Sequence, residues 1–137
     1  MEDFTFFDFT ESTRKGSGRR LREHTFSVVY NDSSCITINI EDGKIIREKQ
    51  MTHLRVRKDN VTGELCLVFN KERGIPLKLE KDVQTTTIQC KALVEFLYHE
   101  LSLRLEKRTR HIFSISENIA NSDEYVTFRI LNEVDDE

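Results

Sequence analysis

The chain has 137 residues, a formal net charge of −3, and 33% charged against 37% hydrophobic side chains. That is the length of one domain with a core, too apolar and too patterned for disorder. No run of about eighteen apolar residues occurs, which excludes a membrane-crossing helix, and three widely spaced cysteines exclude a disulfide framework or a paired-cysteine metal site.

The chain opens on Phe4-Thr5-Phe6-Phe7-Asp8-Phe9, with Glu2 and Asp3 ahead of it in place of a basic, then apolar leader. A secretory signal is therefore not expected. The aromatic segment reads as an edge strand docked on the core or as an arm packed on a second subunit. A polar, glycine-containing stretch from Thr13 to Gly18 reads as a loop, and around it Arg14, Lys15, Arg19, Arg20 and Arg22 set five cations in nine residues. The Gly16-Ser17-Gly18 glycines follow no strand and precede no lysine-serine pair, so they do not form a nucleotide fingerprint.

Alternation of period two begins at Phe26 and places each apolar set on one face of a strand. Phe26 to Tyr30 and Cys35 to Ile40 flank the polar turn Asn31-Asp32-Ser33-Ser34 and predict a hairpin. Asp42-Gly43 reads as a second turn, folding Lys44 to Arg47 back as a strand. Leu54 to Lys58 and Glu64 to Phe69 flank a five-residue loop ending in Gly63. Leu65 to Phe69 is apolar on both faces and reads as the central strand. Lys71 to Gly74 reverses the chain into Ile75 to Leu79, whose Pro76 confines that strand to an edge.

One helix is expected, from about Lys91 to Leu103, with Leu93, Val94, Leu97, Tyr98 and Leu101 on a stripe of about 140°. Phe96 points away from that stripe and needs another cover. Arg104, Lys107, Arg108 and Arg110 follow as a second basic cluster, offset only by Glu106, and two further strands run from His111 to Ser116 and from Glu124 to Leu131. The expected fold class is α+β: a curved antiparallel sheet of about six to eight strands packed on one main helix. Residues 1–23 form an aromatic then basic N-terminal arm, 24–132 the domain, and 133–137 an acidic tail.

No catalytic constellation is legible. Serines, cysteines and histidines are present, but none sits in an elbow or glycine-framed turn, and the four histidines fall at no ligand spacing. An enzyme is not expected, nor a metal or cofactor. Cys35, Cys66 and Cys90 read as reduced, buried thiols, which favours a reducing cytoplasm. Thr37, Asn39, Arg55, Arg57, Lys78, Thr127 and Arg129 fall opposite the apolar sets, giving the wet face of the sheet four cations. In element order, antiparallel strands closed by a helix, the chain is similar to the Whirly class of single-strand binders, without a signature motif of that class.

Two functions follow from these residues. The first is a non-enzymatic nucleic-acid-binding or regulatory protein. Arg14, Lys15, Arg19, Arg20 and Arg22 form its arm, and Arg55, Arg57, Arg104, Lys107, Arg108 and Arg110 its body, all aimed at phosphates. The alternative is a protein-interaction module for an acidic partner, with Phe4, Phe6, Phe7, Phe9 and Phe96 as anchors. Self-association as a homodimer is expected in either case, and no contact with a membrane.

Overall fold

The period-two alternation becomes sheet over most of the chain. The computed structural model describes residues 4–9, 21–79, 86–119 and 122–134. Among these, nine strands and two helices follow in the order β1 (Phe4–Phe7), β2 (Thr25–Val29), β3 (Cys35–Ile38), α1 (Ile40–Glu48), β4 (His53–Asp59), β5 (Leu65–Asn70), β6 (Ile75–Pro76), β7 (Thr86–Gln89), α2 (Lys91–Glu100), β8 (Arg110–Ile115) and β9 (Val126–Val134). The strands join along the path β1-β4-β5-β9-β8-β2-β3-β7, with every pairing antiparallel. The class is α+β, mostly antiparallel sheet.

The expected hairpins β2–β3, β4–β5 and β8–β9 are all present. Gly63 closes the β4–β5 turn at φ +81°, a left-handed conformation that glycine takes without steric cost. β5 is interior, between β4 and β9, and buried along all six residues, as its two apolar faces require. β9 serves two neighbours in turn: Val126 to Arg129 pair with β5, and Ile130 to Val134 with β8.

Four expectations are corrected. Lys44 to Arg47 do not form a strand; they belong to α1, so the sheet carries two helices, not one. Asn39 caps α1, its side chain accepting from the Asp42 amide at 2.9 Å while its own Nδ2 donates to Asp42 Oδ2 at 2.6 Å. A cap of this kind starts a helix more strongly than Asp42-Gly43 starts a turn. Second, Thr86 to Gln89 add a ninth strand, β7, in a threonine-rich stretch with no alternation to announce it.

Third, α2 ends at Glu100, not Leu103. Ser102 takes φ +57°, its amide bonds the His99 carbonyl, and the Leu103 amide bonds that of Tyr98, which together close the helix in a Schellman motif. α1 ends the same way, with Gln50 at φ +58° and the Gln50 and Met51 amides on the carbonyls of Arg47 and Ile46. Fourth, the strand after Gly74 is only Ile75–Pro76, not Ile75 to Leu79, and it pairs with β4. Gly74 sits at φ +120°, where any Cβ would run into the Leu54 carbonyl. β6 and β1 thus share the flank of β4 opposite β5, and Pro76 does lie on an edge.

One apolar cluster holds the elements together. Phe26, Val28, Ile36, Ile38, Leu54, Val56, Leu67, Phe69, Phe113 and Phe128 meet Leu93, Val94, Leu97 and Tyr98 of α2 and Ile46 of α1. Most of these are wholly buried, and each contributes about 1.5 to 3 kcal/mol of transfer free energy. The Tyr98 hydroxyl is satisfied inside this core, accepting from the Tyr30 amide and donating to the Thr109 carbonyl, both at 3.2 Å. Burial pushes its pKa above the usual phenol value. β9 runs to Val134, so Glu133 is part of the sheet, its Oε2 lying 2.7 Å from His111 Nδ1.

Candidate interaction surface

Alternation in the N-terminal segment divides its aromatics between two faces. β1 pairs with β4 so that Phe6 lies opposite Arg57, Phe7 opposite Val56 and Phe4 opposite Asp59. Val56 belongs to the core, so Phe7 turns inward, and Phe9 two residues on does the same. Their rings lie 4.6 and 5.6 Å from that of Phe96, which gives the off-stripe aromatic of α2 its cover. Phe7, Phe9 and Phe96 are therefore packed within this chain.

Phe4 and Phe6 face the other way and are 38% and 41% exposed. Each ring covers an arginine of β4: the Arg57 guanidinium lies 4.1 Å from the Phe4 centroid, and that of Arg55 lies 4.0 Å from the Phe6 centroid. Such stacks contribute about 0.5 to 1 kcal/mol each at exposed positions. Arg55 is fixed further by Asp8, with Nε to Oδ1 at 2.7 Å and an NH2 to Oδ2 at 3.2 Å. Arg57 donates to Cys66 Sγ at 3.5 Å, while its Nε is buried without an acceptor. Two apolar rings thus stand outermost, with the cations beneath them.

The charges on this face balance. Arg129 Nε lies 3.3 Å from Glu64 Oε2, and Asp59 shares the side of β4 that carries Arg57. Asp59 accepts the Val61 and Thr62 amides of the turn, which hold its carboxyl below the usual carboxylate range. Three arginines (Arg55, Arg57, Arg129) meet three carboxylates (Asp8, Asp59, Glu64), so these strands carry no net charge there; Lys78, the fourth cation expected on this face, is exposed past the end of β6. Asn39, expected on the wet face, is buried as the α1 cap, and Thr37 and Thr127 are buried in the sheet.

The second basic cluster lies elsewhere. Arg104, Lys107 and Arg108 are exposed in the turn after α2. That turn is tied to the β2–β3 hairpin by Lys107 Nζ to Asp32 Oδ1 at 3.4 Å and by the Arg108 amide on the Tyr30 carbonyl. Arg110 begins β8, opposite Val29 of β2. β9 and β5 separate β8 from β4 along the sheet, so these cations do not extend the Arg55–Arg57 face. Arg22 is exposed just ahead of β2, and Arg14, Lys15, Arg19 and Arg20 lie outside the described residues, as does the Thr13–Gly18 loop.

Two features of the face were missed from sequence: Asp8 as the anchor of Arg55, and Cys66 beneath Arg57. Carrying the β1 alternation one step further puts Asp8 beside Phe4 and Phe6, so that signal was available. The Cys66 position depends on the β4–β5 register, in which Cys66 lies opposite Arg57.

Elsewhere, His24 Nδ1 lies 3.3 Å from Oδ2 of the buried Asp42, but no hydroxyl or thiol is hydrogen-bonded to that histidine among the described residues. Asp42 instead serves the α1 cap. A shallow cavity of about 160 Å³ is lined by Asn70, Lys71, Glu72, Glu124 and Tyr125, small beside the several hundred Å³ of a typical ligand site. No described helix is long and apolar enough to cross a membrane. No protein-family model, curated protein or solved structure matches the chain.

Proposed function

We propose that the protein is a non-catalytic protein-interaction module whose binding surface is the outer face of β1 and β4, with Phe4 and Phe6 as its anchors. The observation that carries this reading is the pair of half-exposed rings stacked on Arg55 and Arg57. Aromatic and arginine side chains dominate binding hot spots, and the guanidinium beneath each ring holds it rigid at little further entropic cost. The near-neutral charge of the face suits a protein partner better than a polyanion. Affinity capture with the wild-type chain and with a Phe4→Ala/Phe6→Ala variant tests the reading. Partners retained by the first and lost by the second support it; the same set retained by both overturns it.

A second reading, nucleic-acid binding through phosphates, rests on the exposed cations Arg104, Lys107 and Arg108 together with the sequence run from Arg14 to Arg22. Neutralising about five phosphates gives a log–log salt slope of about −4 to −5, or two to three decades of affinity between about 50 and 200 mM salt. Fluorescence anisotropy with a short oligonucleotide measures it. Absence of binding at low salt ends this second reading and leaves the first intact.

A further inference from the structure

Building on that reading, we propose that the partner which seats on β1 is a second copy of this chain, adding its own β1 antiparallel across a twofold axis at Phe6. The two ends of the sheet differ in a way that points there. β7, at one end, is buried along its whole length. β1, at the other end, alternates exposed and half-buried residues, and no described strand pairs with its outer edge.

Proteins blunt an exposed edge with lysine, proline, a bulge or an inward charge. β6, which shares the flank of β4, carries Pro76 in that position. Phe4-Thr5-Phe6-Phe7 carries none of these devices, and its uncharged side chains put no like charges across a self-paired ladder.

Symmetry fixes the register. Directly opposed residues in an antiparallel pair share a face of the sheet, so a twofold that keeps both outer faces together must pair even numbers with even numbers. Centring it on Phe6 sets that ring beside the partner's Phe6, Phe4 beside the partner's Asp8, and Thr5 beside the partner's Phe7. The most exposed ring of the strand is thereby covered, and every arginine beneath stays with its own chain. Five paired residues are fewer than an obligate dimer uses, so association is concentration-dependent.

Light scattering after size exclusion, over a dilution series from about 1 µM to about 1 mM, tests this. The 16.2 kDa chain should move towards twice its mass as concentration rises. Phe6→Lys, which sets two ammonium groups side by side on the axis, should hold it at single mass, while Val61→Lys at an exposed turn leaves the dimer unchanged. Phe6→Cys should cross-link to a dimer under mild oxidation, because opposed Cα atoms lie about 4.5 to 5.5 Å apart, within disulfide reach. That assay stands even if Phe6→Lys fails to fold.

Single mass throughout the series, or a dimer that survives Phe6→Lys in a folded protein, overturns the proposal. If the chain stays monomeric but still captures other proteins through Phe4 and Phe6, only self-pairing fails and the interaction reading stands.

Discussion

The two ends of one sheet are finished differently. At the β3–β7 end the face opposite the core is uncharged and closed: Thr37, Thr87 and Gln89 are buried, with the Thr37 and Thr87 hydroxyls 3.4 Å apart. At the β1–β4 end the same face carries arginines, carboxylates and two rings open to solvent. Both ends rest on one apolar cluster, so the contrast is not one of folding against failing to fold. The binding surface we propose is the open end, where the aromatics are left to solvent.

Removing the shared support breaks both ends at once, and Phe69→Ala should be the costliest change. The ring is wholly buried between β4 and β9 against Phe128, and about 3 to 5 kcal/mol of stability should be lost in urea denaturation. Asn39→Ala acts at the closed end alone. It removes the α1 cap and two buried partners, the Thr25 carbonyl and Asp42, and should cost about 2 kcal/mol.

Tyr98→Phe should cost about 1 to 2 kcal/mol by leaving the Tyr30 amide and Thr109 carbonyl unpaired. It also changes the pH profile. The folded chain holds the Tyr98 proton more tightly than the unfolded one, so wild-type stability is complete below the ordinary phenol pKa and falls as pH rises through the raised value. The variant should lack that alkaline loss in a melt series.

The open end should give the smallest stability effects and the largest binding effects. A double-mutant cycle of Asp8→Ala and Arg55→Ala should give about 0.2 to 1 kcal/mol of coupling, since the carboxylate is partly solvated. Phe4→Ala with Phe6→Ala should shift stability by less than about 2 kcal/mol, the sum of two exposed stacks, while abolishing association. A loss comparable to Phe69→Ala would make these rings part of the core and erase the contrast.

Much of this architecture was legible because alternation is a strong signal. β2, β3, β4, β5, β8 and β9 each show apolar residues at every second position, and the α2 stripe is the one that packs. What escaped notice did so for local reasons. Asn39 and Asp42 three residues apart announce a helix start, but Gly43 beside them reads as a turn; in the structure its amide simply bonds the Asn39 carbonyl in the first turn of α1. Both helices stop on left-handed Gln50 and Ser102, where glycine is the usual marker, so their ends carry no readable sign. β7 reads Thr-Thr-Ile-Gln, with Ile88 its one apolar side chain and so no alternation, and only its neighbours bury it.

The candidate face was legible in composition, not in arrangement. Arg55 and Arg57 were visible as outward cations, and the phenylalanines as surplus aromatics. That the two sets stack on one another follows from the β1–β4 register, a pairing between segments some fifty residues apart that no local pattern encodes.

The division of β9 between β5 and β8 bears on how the molecule assembles. Before residues 126–134 are available, the described strands already made form two separate pieces, β1-β4-β5 with β6 and β8-β2-β3-β7, and the inner margins along β5 and β8 are both bare. The late arrival of a single strand zips both margins together, so a chain halted short of Val126 would hold two half-built sheets and be a target for chaperones or proteases.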